Sequence, residues 1–241
     1  GERIDRAQRG REREFLAPVT EIGQAVPAPE MACERLVLEA DATVVLTVPG
    51  EEHKSVWCGR AFGLEHRARS GRPVITESRH AASALDLEDF GPRLRALALG
   101  AGLRRAKALA FVADGAPSLW LWAEHNLPPG TVLIQDLWHV LEHLSVLAKD
   151  LLGEAWREPF ARWRAMMRQS RVGEVIAELE GEHTRRRGLA RERLTDEIRY
   201  LRNGQSRMDY ARYEREGWPL GSGAIEGECK HLVKERFALT G

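Results

Sequence analysis

Apolar and polar residues follow two different patterns in the first half of the chain. From 35 to 48 they roughly alternate, in a run rich in Val, Leu and Thr, which predicts a β-strand. Residues 55–64 and 73–78 predict two further short strands. Residues 86–102 instead repeat apolar side chains at the spacing of three to four residues that is typical of a helix.

The second half begins with two short, continuous apolar runs. Residues 106–117 and 131–136 predict buried strands, and the segment between them predicts a short helix over 117–125. Residues 137–152 carry leucines on one side of a predicted long helix. From 153 to 217 the pattern is helical throughout, with few β-branched residues and many arginines.

This order of elements predicts an α/β fold. Three strands joined as hairpins, followed by strands separated by crossover helices, imply a mixed sheet flanked by helices. The same order is found in the ribonuclease-H-like fold. We therefore expect a lead-in at 1–34, the first part of the core at 35–152, an all-helical insertion at 153–217, and a final, truncated core segment at 218–241, with its helix at 224–238.

Composition narrows the class of protein without identifying it. The 241 residues are 43% hydrophobic and 30% charged with a net charge of zero, which is typical of a soluble globular protein. Three widely spaced cysteines cannot form a disulfide framework or a Cys-x-x-Cys zinc site, and they indicate a reducing cytoplasm. No apolar run approaches the roughly 20 residues that a membrane-spanning helix needs.

Three acids lie where a catalytic site could use them. Asp41 is in the middle of the first predicted strand. Asp114 ends the strand predicted within the apolar run at 106–117, and a loop follows it. Glu226 is in the first turn of the last predicted helix. Ligands bind beyond the carboxyl ends of strands in open α/β sheets, which favours a functional role for Asp114. Each acid also has an ordinary explanation: a solvated strand face, an Asp-Gly turn, and a favourable charge at a helix N-terminus.

Three segments resemble a bacterial group of insertion-sequence transposases related to the Mutator class. They are VADGAPSLW at 112–120, IQDLWHVLEHL at 134–144 and, most specifically, MDYARYEREGWPLGSGAIEGECKHLVKERFALTG at 208–241. The resemblance covers roughly residues 35 to 241. It implies a ribonuclease-H-like catalytic domain of the DDE type, in which a helical insertion precedes the third acid.

The resemblance assigns the three metal-binding acids to Asp41, Asp114 and Glu226. Such a set is expected to hold two Mg²⁺ (or Mn²⁺) ions, which stabilise the entering and leaving oxygens of an in-line phosphoryl displacement. The family also carries a Cys-or-Asp, two residues, then His motif after the second acid, and Asp136 and His139 match it. The resemblance implies that this motif supports the active site or the handling of DNA ends.

Two points of this assignment stay open in the sequence. Asp136 also ends a predicted strand, so it is a rival of Asp114 for the second metal position, although its pairing with His139 favours Asp114. The sequence departs from the family where Asp41 is followed by alanine instead of glycine. The segment before the core is expected to be a lead-in and not an N-terminal DNA-binding domain.

Two other functions compete with the transposase hypothesis. His139, Glu142 and His143 form an H-x-x-E-H sequence on a predicted helix, the pattern of inverted zinc metalloproteases. Five positions with two of them free are a weak signal, and a helix with its histidines at a capped start and on a polar flank explains them as well. The third possibility is a domesticated or inactive DNA-binding relic.

The transposase hypothesis carries its own partners. We expect cleavage and strand transfer at transposon ends, double-stranded DNA as substrate and target, a homo-oligomer on DNA, and a place in the cytoplasm at the nucleoid. The candidate phosphate contacts are Lys230, one turn after Glu226, and four arginines of the insertion: Arg185, Arg186, Arg187 and Arg191. The alternative for these arginines is ordinary surface charge among neighbouring acids.

Overall fold

A five-stranded mixed sheet forms the centre of the fold, with helices on its faces. The computed structural model describes residues 33–45, 54–66 and 73–222, and its strand order is β3-β2-β1-β4-β5. The strands are β1 at Arg35–Val45, β2 at Lys54–His66, β3 at Pro73–Ser83, β4 at Ala108–Ala113 and β5 at Val132–Gln135. The α/β class predicted from the order of elements is therefore confirmed.

The first three strands form an antiparallel meander, as the hairpin pattern predicts. Asp41 of β1 is opposite Cys58 of β2, which in turn is opposite Ala82 of β3. Val37 and Leu38 point to opposite faces of β1 and neither has any exposed surface, so this strand is covered on both sides. A solvated strand face is the ordinary explanation of Asp41, and Glu39, two residues earlier, lies on the same face of β1. That explanation is wrong at Glu39, because its side chain is only 1% exposed.

Two helices lie between the meander and the last strand. Helix α1, at Leu87–Gly100, begins at Asp86, whose side chain accepts a hydrogen bond from the backbone N–H of Asp89. Helix α2, at Pro117–Asn126, starts with a proline. Proline suits this position because the first N–H groups of a helix have no acceptor within it, so a missing N–H costs nothing. Both agree closely with the helices predicted from periodicity.

Every regular element after β5 is helical up to the end of the described chain. They are α3 at Leu137–Leu152, a 3-10 turn at Gly153–Trp156, α4 at Arg157–Arg168, α5 at Val172–Arg185, α6 at Leu189–Gly204, a 3-10 turn at Gln205–Arg207, and α7 at Tyr210–Arg215. Residues 153–217 contain no strand, as their pattern predicts.

The described residues divide into two compact units. The strand unit contains the described residues up to 111, together with 116–132 and Ser222; the helical unit contains 112–115 and 133–221. The loop that follows β4 thus belongs to the helical unit. The predicted insertion boundaries at 153–217 stay a prediction. The lead-in at 1–34, apart from its last two residues, and the final helix at 224–238 lie outside the described residues.

Two details differ from the sequence-based prediction. Strand β4 ends at Ala113, so Asp114 is the first residue beyond it, and β5 ends at Gln135, so Asp136 lies beyond that strand as well.

Across the described ranges, none of the helices combines the length and the apolar character that spanning a membrane would require.

Candidate active site in the helical unit

Asp114 starts the loop that follows β4, and Tyr200 contacts this loop. Its side chain is half-buried, and its backbone carbonyl accepts a hydrogen bond of 3.1 Å from the Tyr200 hydroxyl. The next residue, Gly115, has a φ of 112°, which side chains other than glycine rarely adopt. A Cβ atom there would lie 2.9 Å from both Tyr200 Cε2 and Gln135 Nε2. The backbone conformation and the tertiary packing both restrict position 115 to glycine.

Asp136 is the N-cap of helix α3. Its Oδ1 atom accepts hydrogen bonds from the backbone N–H groups of Trp138 at 2.7 Å and His139 at 3.3 Å. The side chain is only 1% exposed, and its own backbone N–H donates to the carbonyl of Ala113 at 2.8 Å. Asp136 therefore ties the start of α3 to the end of β4 through main-chain contacts.

The first residues of the GSGAIE segment lie against this cap. The backbone N–H of Leu137 donates to the carbonyl of Leu220 at 2.8 Å. A Cβ atom on Gly221 would overlap the Asp136 carboxylate and the Trp138 ring, so close approach of the chain requires glycine here. The start of α3 thus contacts the end of β4, about 20 residues earlier in sequence, and the segment at Leu220, about 80 residues later.

His143, one turn after His139, forms a partly buried ion pair with α6. Its Nδ1 atom lies 3.2 Å from Oε2 of Glu197, whose side chain is only 9% exposed. The hydrogen bond to Glu197 raises the pKa of His143, and the negative charges of Glu142 and Asp114 act in the same direction, against the opposing effect of burial. This arrangement favours the imidazolium form.

Tyr200 connects that ion pair to the Asp114 loop. Its ring stacks on the His143 imidazole at 4.5 Å with an interplanar angle of 10°, and His143 in turn lies 4.8 Å from the His139 ring. Burial is the main reason that the pKa of the Tyr200 hydroxyl is raised, so the hydroxyl stays protonated and can donate to the carbonyl of Asp114.

An open cleft of about 620 Å³ runs between α3 and α6 next to these groups. Four acids contribute negative charge to it, against the positive charges of one arginine and the His143 imidazolium, so its net charge is negative. The lining residues are His139, Glu142, His143, Val146, Leu147, Asp150, Arg193, Asp196 and Glu197. Because phosphate is repelled by such a surface, the cleft itself does not suit a nucleic-acid backbone.

Of the other two predicted acids, one lies in the strand unit and one outside the described residues. Asp41 lies in the strand unit, half-buried on β1, where its Oδ1 accepts a hydrogen bond of 2.7 Å from the N–H of Ala42. Glu226 lies outside the described residues, and so does Lys230. Within 33–45, 54–66 and 73–222, no three His, Cys, Asp or Glu side chains group so that they could hold a metal ion.

The H-x-x-E-H residues do not form a three-ligand zinc site with described residues. His143 directs Nδ1 to Glu197 and stacks one ring face on Tyr200, which are contacts of a packed structural histidine. The predicted capped start is also present, because Asp136 caps the helix next to His139. The ordinary explanation of this motif, a capped helix with histidines on its flank, accounts for its geometry.

The candidate DNA-binding arginines differ from one another in their contacts. Arg185 and Arg186 both pair with Glu182, at 2.9 and 3.3 Å, and Arg186 also donates to the carbonyl of Leu151. Arg191 donates through Nε to His183 at 3.3 Å. Arg187 is exposed and forms no ion pair with another described residue.

Sequence reasoning missed Glu197 and Tyr200. A signal for Glu197 was present: it lies between Leu194 and Leu201 on the apolar side of α6, at spacings of three and four residues, where a charged side chain needs a partner. No comparable signal marks Tyr200, because its contacts are to a backbone carbonyl and to a ring on another helix.

Neither a comparison with protein-family models nor one with curated proteins finds a match to this chain.

Proposed function

We propose that this chain is the catalytic region of a DDE-type DNA transposase, which cleaves DNA at transposon ends and transfers the strand. The chain resembles insertion-sequence transposases of the Mutator-related group in three segments. Double-stranded DNA would be both substrate and target. A homo-oligomer assembled on DNA at the nucleoid follows from the same hypothesis.

One observation supports the proposal most directly: residues from all three resembling segments contact one another within the helical unit. Asp136 donates its N–H to Ala113 of the first segment, and Leu137 of the second donates to Leu220 of the third. Convergence of segments so far apart in sequence is typical of a functional site assembled at the ends of neighbouring strands. Glu226 follows Gly221 by five positions.

Within this proposal, Asp114 is the second metal ligand and Asp136 supports it. Asp136 uses one oxygen to cap α3 and is nearly completely buried, which suits a structural role. Asp114 is half-buried, directly beyond the end of β4, and its carboxylate is the kind of hard oxygen ligand that Mg²⁺ prefers. Two such ions, held by Asp41, Asp114 and Glu226, would stabilise charge on the entering and leaving oxygens.

The zinc metalloprotease hypothesis has less support. It needs His143 as a metal ligand, whereas the Glu197 ion pair and the Tyr200 ring already hold that imidazole. It also needs a third ligand, and the described part of the chain offers none.

The experiment uses the full-length protein and a DNA duplex carrying the terminal repeats that flank its gene. With Mg²⁺ or Mn²⁺, we expect cleavage that leaves a 3′-hydroxyl, and we expect EDTA to abolish it. Asp114→Asn keeps the shape of the side chain but removes its charge, and it should reduce cleavage by roughly a thousandfold, because loss of a metal ligand removes several kcal/mol of transition-state stabilisation.

Asp196→Asn is the matched control, because Asp196 is an exposed acid of the same unit that pairs with Arg199. It should cleave like the wild type. Cleavage by Asp114→Asn at the wild-type rate would overturn the proposal, and so would stoichiometric zinc that is lost in His143→Ala. Specific binding of the repeats without any cleavage would identify the inactive relic instead.

A further inference from the structure

The three tyrosines of this chain share one type of contact. Each hydroxyl donates to a backbone carbonyl of β5 or of the residue that follows β4. Tyr200 donates to Asp114, Tyr210 to Gln135 at the end of β5, and Tyr213 to Leu133 within β5, at 3.1, 3.0 and 3.2 Å. The donors lie on α6 and α7, and the acceptors are 75 to 86 residues earlier. Helices late in the chain therefore hold the strand ends that precede the two candidate acids.

Of the three, only Tyr200 binds the carbonyl of a candidate metal ligand itself. Its ring also covers Gly115, where even a single added methyl group would lie 2.9 Å from Cε2. The main chain at Asp114 is therefore restrained on two sides, by a hydrogen bond and by ring contact.

The Tyr200 ring stacks on the imidazole of His143, which is paired with Glu197. Glu197 precedes Tyr200 by three residues on α6, and the imidazole between them stacks on the ring. A carboxylate that is 91% buried is stable only with its charge compensated, so the pair resists separation. The contacts run without a break from Glu197 through His143 and Tyr200 to Asp114.

We propose that Tyr200 is a positioning residue that fixes the main chain at Asp114, and that the His143–Glu197 pair holds Tyr200 in place for this role. The hydroxyl directs the peptide group, and the peptide group sets where the Asp114 carboxylate points. The catalytic consequence rests on the transposase function proposed above, whereas the restraint of the loop does not.

The test compares Tyr200→Phe with Tyr213→Phe in the full-length protein. Both variants lose one hydroxyl that donates to a backbone carbonyl, but the Tyr213 acceptor, Leu133, lies in β5, three residues before Asp136, whereas Asp114 follows β4. Amide hydrogen exchange at residues 114–116, followed by NMR, should be about fivefold faster in Tyr200→Phe, since a typical hydrogen bond contributes about 1 kcal/mol. Tyr213→Phe should leave exchange at 114–116 unchanged.

Cleavage kinetics provide the second measurement. Tyr200→Phe should lower kcat by roughly tenfold and leave the KM for DNA unchanged, because the hydroxyl orients a ligand and does not bind substrate. Glu197→Gln, which keeps the shape but removes the charge, should have a smaller effect of the same kind.

The two measurements separate failure of this proposal from failure of the function. If the wild type cleaves no DNA, the transposase function fails, and the exchange rates still decide whether Tyr200 restrains the loop. If Asp114→Asn abolishes cleavage but Tyr200→Phe changes neither exchange at 114–116 nor kcat, the positioning role is overturned. A rise in KM alone would also overturn it.

Discussion

At the scale of single residues, the buried charge of Glu197 is the feature that most restricts this molecule. Its side chain lies on the apolar stripe of α6, with Leu194 and Leu201 as neighbours, and its partner is His143 on α3. Burying a carboxylate without compensation is strongly unfavourable, so the protonated imidazole contributes to the stability of the fold. This dependence can be measured through pH.

We predict that the His143–Glu197 pair makes stability fall as pH rises above neutrality. The pKa of His143 is raised in the folded state by Glu197, so its contribution is complete below the unfolded value of about 6.5 and is lost as pH rises through the folded pKa. The imidazole is 38% exposed, which limits the effect to about 1 kcal/mol.

Urea unfolding at pH 6 and pH 9 provides the measurement, with wild type compared with His143→Gln. His125→Gln is the control, because His125 is exposed and contacts the carbonyl of Leu121 on its own helix. The wild type and His125→Gln should lose stability by the same amount over this range, and His143→Gln by less. Identical pH dependence in all three proteins would contradict the prediction.

At the scale of secondary-structure elements, α3 is the helix that links the candidate site to the rest of the helical unit. Asp136 caps its start, Leu137 binds the Leu220 carbonyl, and its polar flank carries His139 and His143 toward α6. Local sequence determines the cap, whereas packing against α6 determines which groups meet the histidines.

The cap at Asp136 gives a prediction for this element. Asp136→Ala should destabilise the protein by about 1 kcal/mol, because two N–H groups of the first turn lose their acceptor. Asp136→Asn should retain most of that stability, since an amide oxygen caps a helix as well as a carboxylate does. Denaturant unfolding distinguishes them; equal losses in the two variants would show that charge, and not capping, is what Asp136 provides.

The four arginines proposed to contact phosphate lie from the end of α5 to the first turn of α6. Their ion pairs indicate which of them are the better test of DNA binding. Arg185 and Arg186 already pair with Glu182, so they must exchange this partner for phosphate, whereas Arg187 is exposed and has no such pair within the described part of the chain. Arg186 also holds the carbonyl of Leu151 and therefore has a structural role. The most direct test thus uses Arg187 and Arg191.

We predict that Arg187→Gln combined with Arg191→Gln weakens DNA binding and flattens its salt dependence. Each lost phosphate contact should reduce the slope of log affinity against log salt by about one, or by about two for the pair. Arg171→Gln is the matched control, because that exposed arginine pairs with Glu174 on another turn. An unchanged slope in the double variant would leave ordinary surface charge as the explanation of this arginine run.

At the scale of the whole molecule, the chain combines a mixed sheet with a large helical unit. Contacts assign the loop after β4 to the helical unit, although the strand itself begins in the strand unit. The candidate second acid is therefore held by helices that come much later in sequence.

Much of this architecture follows from local patterns alone. Alternation and helical spacing determined the order of the elements from β1 to α3, because burial of one face imposes a period on any strand or helix. Cap chemistry could also be predicted, as the capped start of α3 illustrates. The transposase assignment itself stays a prediction, carried by short motifs.

The tertiary structure alone decided which of these residues work together. His143 pairs with a carboxylate 54 residues away, and Tyr200 binds the carbonyl of Asp114 across 86 residues. No period or motif encodes such pairings, because they depend on how α3 and α6 pack and where each side chain then points. The sequence by itself thus identified Asp114 and its motif as candidates, whereas packing determined that Tyr200, His143 and Glu197 are the side chains that hold its loop.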